Sequence, residues 1–148
     1  MGLDVGERRI GVAVADELGM IASPLKTVQR RAGDLLELRD LAAAKDVDRM
    51  VLGLPTGLSG REGPQAATVR AFARALEAAV GPLVAIEFWD ERLTTAVAER
   101  MLRERGHRGH RRKGEVDAVA AAVILQGYLD ACRARRLRAS EHDGADAG

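Results

Sequence analysis

"GLDVGERRIGVAVAD", Gly2 to Asp16, decides the fold. Two short apolar runs flank a charged turn, Glu7-Arg8-Arg9. In extended chain successive side chains alternate in face. Leu3 and Val5 therefore share one face, and Gly2, Asp4 and Gly6 the other. The second run sorts Ile10, Val12 and Val14 from Gly11, Ala13 and Ala15. Paired as a hairpin, the two runs surround one carboxylate with a nearly bare shelf. A plainer reading has Asp4 ending its strand and capping the turn, which leaves Gly2 and Gly6 without a reason.

Outward from this hairpin, Met20–Val28 reads as a third antiparallel strand, with Pro24 favouring an edge or an irregularity. The period then changes. Leu35, Leu38, Leu41 and Ala42 recur at helical spacing over Asp34–Lys45. "DRMVLGLP" is a short buried strand, "TGLSGREGP" a glycine-rich loop, and Gln65–Val80 a helix stopped by Gly81-Pro82. "LVAIEFW" is a fifth strand. Thr94 or Thr95 can cap a helix to about Leu102. A basic loop follows, and Val116 to about Arg136 is the last helix. The order βββ-α-β-α-β-α-α predicts an α/β fold: a mixed five-stranded sheet with helices on both faces. Residues 1–138 read as one domain and 139–148 as a disordered acidic tail. The first strand begins with no lead-in beyond Met1, so it is either unusually short or preceded by further native residues.

Composition narrows the function classes. Of 148 residues 47% are apolar, enough for a core, but only 3% are aromatic, which argues against a base-stacking platform. The single cysteine, Cys132, cannot form an internal disulfide. No run approaches the ~20 apolar residues of a membrane span, and no leader is evident. These features predict a cytoplasmic protein with no membrane partner. The net charge of +1 conceals a basic flank: six Arg and one Lys stand against one Glu from Arg100 to Lys113.

Three acids sit badly with a purely structural role. Asp4 lies mid-strand, Asp90-Glu91 ends the last strand, and Asp117 opens the most apolar helix. Each has an ordinary reading; Asp117, for instance, suits the positive end of a helix. Alternation lets only one of Asp90 and Glu91 join Asp4. Open α/β sheets can bring such positions together, and clustered carboxylates need cations to neutralise them. Oxygen donors of this kind suit Mg²⁺ or Mn²⁺, and no Cys–His cluster competes for zinc.

"GLDVGERRIGVAVAD", "VLGLPTGLSGREG", "DERLTT" and "KGEVDAVAAAVILQGYL" resemble, in order and spacing, the motifs of the YqgF/RuvX family over residues 1 to 130. These are small bacterial proteins with an RNase H-like fold, related to the RuvC Holliday-junction resolvases. The resemblance implies a nuclease, in one description maturing the 5′ end of 16S rRNA from its precursor and in another resolving four-way DNA. It implies Asp4, Glu91 (rather than Asp90) and Asp117 as catalytic, metal-holding acids for a pair of Mg²⁺ or Mn²⁺ ions. RuvC proteins carry a second acid one turn into the last helix, where this chain has Ala120, and that departure weighs against junction resolution.

On this reading Gly6 and Gly11 admit the phosphodiester backbone. Arg9, Arg61, Arg92, Arg108, Arg111, Arg112 and Lys113 are candidate substrate contacts, while His107 and His110 are incidental to the loop. "LPTGLSGREG" is either a phosphate cradle or an ordinary turn; it lacks the closing Lys-Ser/Thr of a P-loop. Two rivals stand. The first stretch is also similar to the phosphate loop of actin-like and sugar-kinase ATPases, but those need a second lobe. A non-catalytic nucleic-acid-binding module in ribosome biogenesis or transcription is the other. The partner is nucleic acid, and the chain a monomer or homodimer.

Overall fold

A computed structural model describes residues 1–57, 60–93 and 113–146. Strands β1 (Gly2–Val5), β2 (Arg9–Ala15) and β3 (Ala22–Gln29) are followed by helix α1 (Asp34–Ala44) and β4 (Arg49–Leu54). Helix α2 (Pro64–Val80), β5 (Ala85–Asp90), a 3₁₀ turn (Glu91–Leu93) and helix α3 (Lys113–Asp146) complete the chain. The sheet order is β3-β2-β1-β4-β5. β1 and β2 pair antiparallel with Asp4 opposite Gly11, and β2 pairs antiparallel with β3. β4 runs parallel to both β1 and β5. Thus β1, β4 and β5 finish at one end of the sheet, where β2 begins. The expected third helix and basic loop, 94–112, lie outside the described residues.

Alternation sorts the sheet into two unlike faces. Large side chains, Leu3, Ile10, Val12, Met50 and Leu52, point to one side and pack under Leu38 of α1 and Val69, Phe72 and Leu76 of α2. The other side carries Gly2, Gly11, Ala13, Val51 and Gly53, with Trp89 of β5 standing at its edge. Helix α3 lies there with Ala121, Ala122, Ile124 and Leu125 inward. Small residues on both surfaces let helix and sheet backbones come close. A Cβ built on Gly11 would stand 1.8 Å from the carbonyl oxygen of Asp117, and one on Gly2 2.7 Å from the Leu125 Cβ. Gln126, buried at 7% exposure, fastens the helix to the β2–β3 hairpin. Its Oε1 accepts the Ala22 N–H at 2.9 Å, and its Nε2 donates to the Met20 carbonyl at 2.9 Å.

The limits of β3 and of α3 differ from the sequence reading, while the irregularity expected at Pro24 is present. β3 starts at Ala22, because Asp16 Oδ1 accepts the backbone N–H groups of Met20 and Ile21 and folds them into the turn. The register slips between Val12 and Ala13, opposite Lys26 and Pro24, on an edge strand as the proline demands. α3 begins three residues before Val116 and continues through the expected tail to Asp146. Residues 137–143 contain neither proline nor glycine, and the Ser140 hydroxyl folds back onto the Arg136 carbonyl at 2.9 Å. Among the described residues no helix is long and apolar enough to cross a membrane.

The close approach at Gly11 is testable. Gly11→Ala drives a methyl into backbone that has no rotamer to yield, and should cost about 3 kcal/mol by urea unfolding. Gly144→Ala, with nothing within 4 Å of its added methyl, should be neutral or slightly stabilising. Equal stability of the two variants would refute the packing described.

Candidate active site

Asp4 stands in β1 opposite Gly11, just past the last residue paired with β4, on the glycine-floored face. Burial raises its carboxyl to about 6, and the charges of Glu91 and Asp117 push it the same way. The three acids therefore occupy one electrostatic neighbourhood, delivered by β1, by the turn after β5, and by α3. Asp117 gets there because α3 rests directly on Gly11, which lies opposite Asp4 in the ladder. Asp117 is the fifth residue of α3, one turn beyond the positive end; Glu115 occupies the first turn. The helix-dipole explanation of Asp117 therefore loses its ground. Glu91 lies over Gly53, where an added Cβ would come within 2.9 Å of its Oε1. Gly53 was not singled out in the sequence, although a glycine inside "VLGLP" is a signal of close approach.

Adjacent acids in "DER" are treated in opposite ways. Asp90 is held by the Arg92 guanidinium, Nη2 to Oδ2 at 2.7 Å, and by the Arg92 backbone N–H at 2.9 Å. The Thr56 hydroxyl adds a third donor at 2.8 Å. These bonds keep the Asp90 carboxyl well below the usual range. Glu91 is shifted upward instead, by burial and by the charge of Asp90. Arg92 thus spends its fork on Asp90. Thr56, just beyond the strand that ends at Leu54, has no sequence signature for this role.

The remaining candidates divide. Arg9 begins β2, and its Nε donates to Asp117 Oδ2 at 2.7 Å across 108 positions of sequence. Gly6 makes room for a tight turn: an added Cβ would lie 2.8 Å from the Arg9 carbonyl oxygen, which accepts the Gly6 N–H at 2.9 Å. Arg30 pins that turn from outside by donating to the Gly6 carbonyl at 3.0 Å while its guanidinium lies 4.8 Å above the Phe72 ring. Gly11, read as an opening for phosphate, is instead covered by α3; a missing side chain announces space without naming its occupant. "LPTGLSGREG" folds as a small hairpin in its described part, with Thr56 bridged to Glu62 and the Gly57 N–H donating to the Arg61 carbonyl. The Arg61 side chain is exposed. Arg108, Arg111 and Arg112, with His107 and His110, lie outside the described residues, and so does the side chain of Lys113.

The donor set suits a hard divalent cation. Burial and the charges of Glu91 and Asp117 raise the Asp4 carboxyl, which a cation would reverse. Among the described residues no three His, Cys, Asp or Glu side chains close into a ring of metal ligands; Asp117 is turned to Arg9.

Known proteins resemble this chain in sequence and in fold. The sequence model of the RuvX family, described as Holliday junction resolvase, matches residues 1–131. A protein of Moorella thermoacetica named "Putative pre-16S rRNA nuclease" is 51% identical over 132 residues, covering 88% of this chain and 93% of that protein. One of Roseobacter denitrificans with the same name is 48% identical over 143 residues, covering 95% and 86%. Among solved structures, T. thermophilus RuvC in complex with Holliday junction substrate shares the fold, with a TM-score of 0.58 at 18% identity over 87% of this chain and 92% of that one. With the family match spanning nearly the whole chain and the RNase H-like sheet in place, the chain belongs to the RuvX family.

Proposed function

We propose that this protein is a metal-dependent endonuclease that hydrolyses phosphodiesters in the precursor of 16S ribosomal RNA, toward the mature 5′ end. The observation that carries the reading is the convergence of Asp4, Glu91 and Asp117 on one end of one sheet face. The substrate comes from the name carried by relatives near 50% identity. The RuvC likeness supports the fold and, at 18% identity, says nothing of four-way junctions. Ala120, where the RuvC proteins have a further acid, favours the RNA reading over junction resolution. A cytoplasmic location accords with such a substrate.

Asp4, Glu91 and Asp117 are the residues that hold Mg²⁺ or Mn²⁺. The ions supply an activated water and charge stabilisation at the leaving oxygen. The chain's own part is preorganisation. β1 fixes Asp4 in the sheet, Gly53 leaves room for Glu91, and α3 carries Asp117 in on a rigid helix. The bond network around Asp90 and Arg92 holds the turn that presents Glu91. Arg9, at the start of β2, and Arg61, in the loop after β4, lie at this same end and are placed to receive flanking phosphates, with Arg108, Arg111, Arg112 and Lys113 as further candidates. The carboxylates act ionised, so protons compete with the cations for Asp4.

Asp4→Asn and Asp117→Asn should each lower metal-dependent cleavage of a precursor 16S RNA fragment at least about a hundredfold. A four-way DNA junction, assayed beside it, should be cut poorly; cleavage of the junction alone would transfer the protein to the resolvases. Tight RNA binding with no cleavage by the wild type would make it a binding module.

Two consequences of the raised Asp4 carboxyl can be measured without catalysis. Mn²⁺ affinity by calorimetry should climb with pH up to about 6 and then level off, as a proton ceases to be displaced. Stability of chelator-treated protein should fall as pH rises from 3.8 through about 6, because ionisation disfavours the folded state there. Asp4→Asn escapes that loss. It should be more stable than wild type at pH 8, by about 3 kcal/mol, and match it near pH 4. A variant less stable than wild type at pH 8 would contradict the electrostatics.

A further inference from the structure

We infer that Arg9 is an exchangeable counter-cation: it holds Asp117 until a divalent cation takes that carboxylate, and is thereby released toward the substrate's phosphates. The inference deepens the nuclease reading and rests on it.

Position comes first. Arg9, Gly11 and Ala13 lie on the same face of β2, and Asp117 rests on Gly11. The Arg9 guanidinium therefore approaches Asp117 along the strand from one side, while Asp4, opposite Gly11, stands on the adjacent strand. The Nε–Oδ2 contact of 2.7 Å is short and charge-assisted, yet both side chains are about one-third exposed, 34% and 27%. A pair this open to water is weak and can be broken at little cost. It differs from the other arginine contact of the site. Arg92 grips Asp90 through two guanidinium nitrogens and its own backbone N–H, three bonds formed within two residues of sequence. That pair, at 43% and 24% exposure no less open to water, is local and held by several bonds, whereas Arg9–Asp117 joins a strand to a helix and contributes one bond.

Chemistry supplies the exchange. Asp117 has a second oxygen, Oδ1, that a cation can take, but an ion there or on Oδ2 stands close to the Arg9 guanidinium, and repulsion between the two positive centres weakens the arginine's hold. On this inference Arg9 yields. The guanidinium has a planar fork suited to phosphate oxygens, and it begins its strand at the end of the sheet where the acids meet. Its displacement by the cation therefore adds a phosphate contact at the moment the site becomes competent.

The test is Mn²⁺ binding by the full chain after chelator treatment, followed by calorimetry and by thermal melting. Arg9→Gln should bind Mn²⁺ about threefold to tenfold more tightly than wild type, because the competitor is gone. The cation-free variant should melt lower than wild type, and saturating Mn²⁺ should close most of that gap. Arg9→Lys, which keeps the charge but lacks the fork, should fall between. Arg8→Gln removes the same charge from an exposed neighbour and should change the affinity less than about twofold. Unchanged or weaker Mn²⁺ binding in Arg9→Gln would overturn the inference and make Arg9 a structural tie. Equal tightening in Arg8→Gln would also overturn it, leaving only a general field effect. If wild type and Asp4→Asn bind Mn²⁺ alike, the metal site itself falls and this inference with it.

Discussion

Helix α3 can lie on the sheet only because Gly2, Gly11 and Gly53 leave three strands bare beneath it. The arrangement of the site follows from that contact. With the helix backbone almost against β2, Asp117 is lowered to the level of the strand and faces Asp4 of the next one. A helix separated by ordinary side chains would ride about 10 Å from the sheet and carry its acid clear of β1. The opposite face, with its large aliphatics, is a conventional core under α1 and α2. Unequal side-chain volume on the two faces thus gives one five-stranded sheet two unlike cores, one of large aliphatics and one of close helix packing.

Close packing that gathers acids also gathers repulsion. Asp4 registers it as a carboxyl raised to about 6 by burial and by two neighbouring charges. The protein tempers this with two arginines used differently. Arg92 and Thr56 hold Asp90 while its charge still acts on Glu91, and the field at Asp4 comes from Glu91 and Asp117. Arg9 offsets Asp117 through one bond between side chains about one-third exposed.

Much of this was legible. Alternation in Gly2–Asp16 identifies the hairpin, the bare face and the acid on it. The change to a helical period places α1 and α2 to within one residue, and Pro24 marks an edge strand with a slipped register. The misreadings share a cause. Gly11 shows that a side chain is absent, and the sequence does not say whether phosphate or helix fills the gap. Gly6 bears on its own turn for the same reason. Asp117 was read as a first-turn residue because no apolar periodicity precedes Val116, yet hydrogen bonding carries the helix back to Lys113. The Arg9–Asp117 contact spans 108 positions, and no local pattern encodes a pair that exists only after the sheet has formed.

The choice of a strand for Asp4 has a further physical meaning. A carboxylate on a loop can relax away from like charges, lowering its energy and losing its geometry. Asp4 is tied by ladder bonds on both sides, to β2 at Gly11 and, through its neighbour Leu3, to Leu52 of β4. Its backbone cannot retreat, and burial, with the two neighbouring charges, raises the carboxyl. Asp117 sits on a helix anchored by Gln126 and by the glycine floor, and is nearly as confined. Glu91 stands in a short 3₁₀ turn braced by the Asp90–Arg92 bonds. A cation entering this site would meet acids set by a strand, a helix and a braced turn, so rigid elements would fix where charge is stabilised.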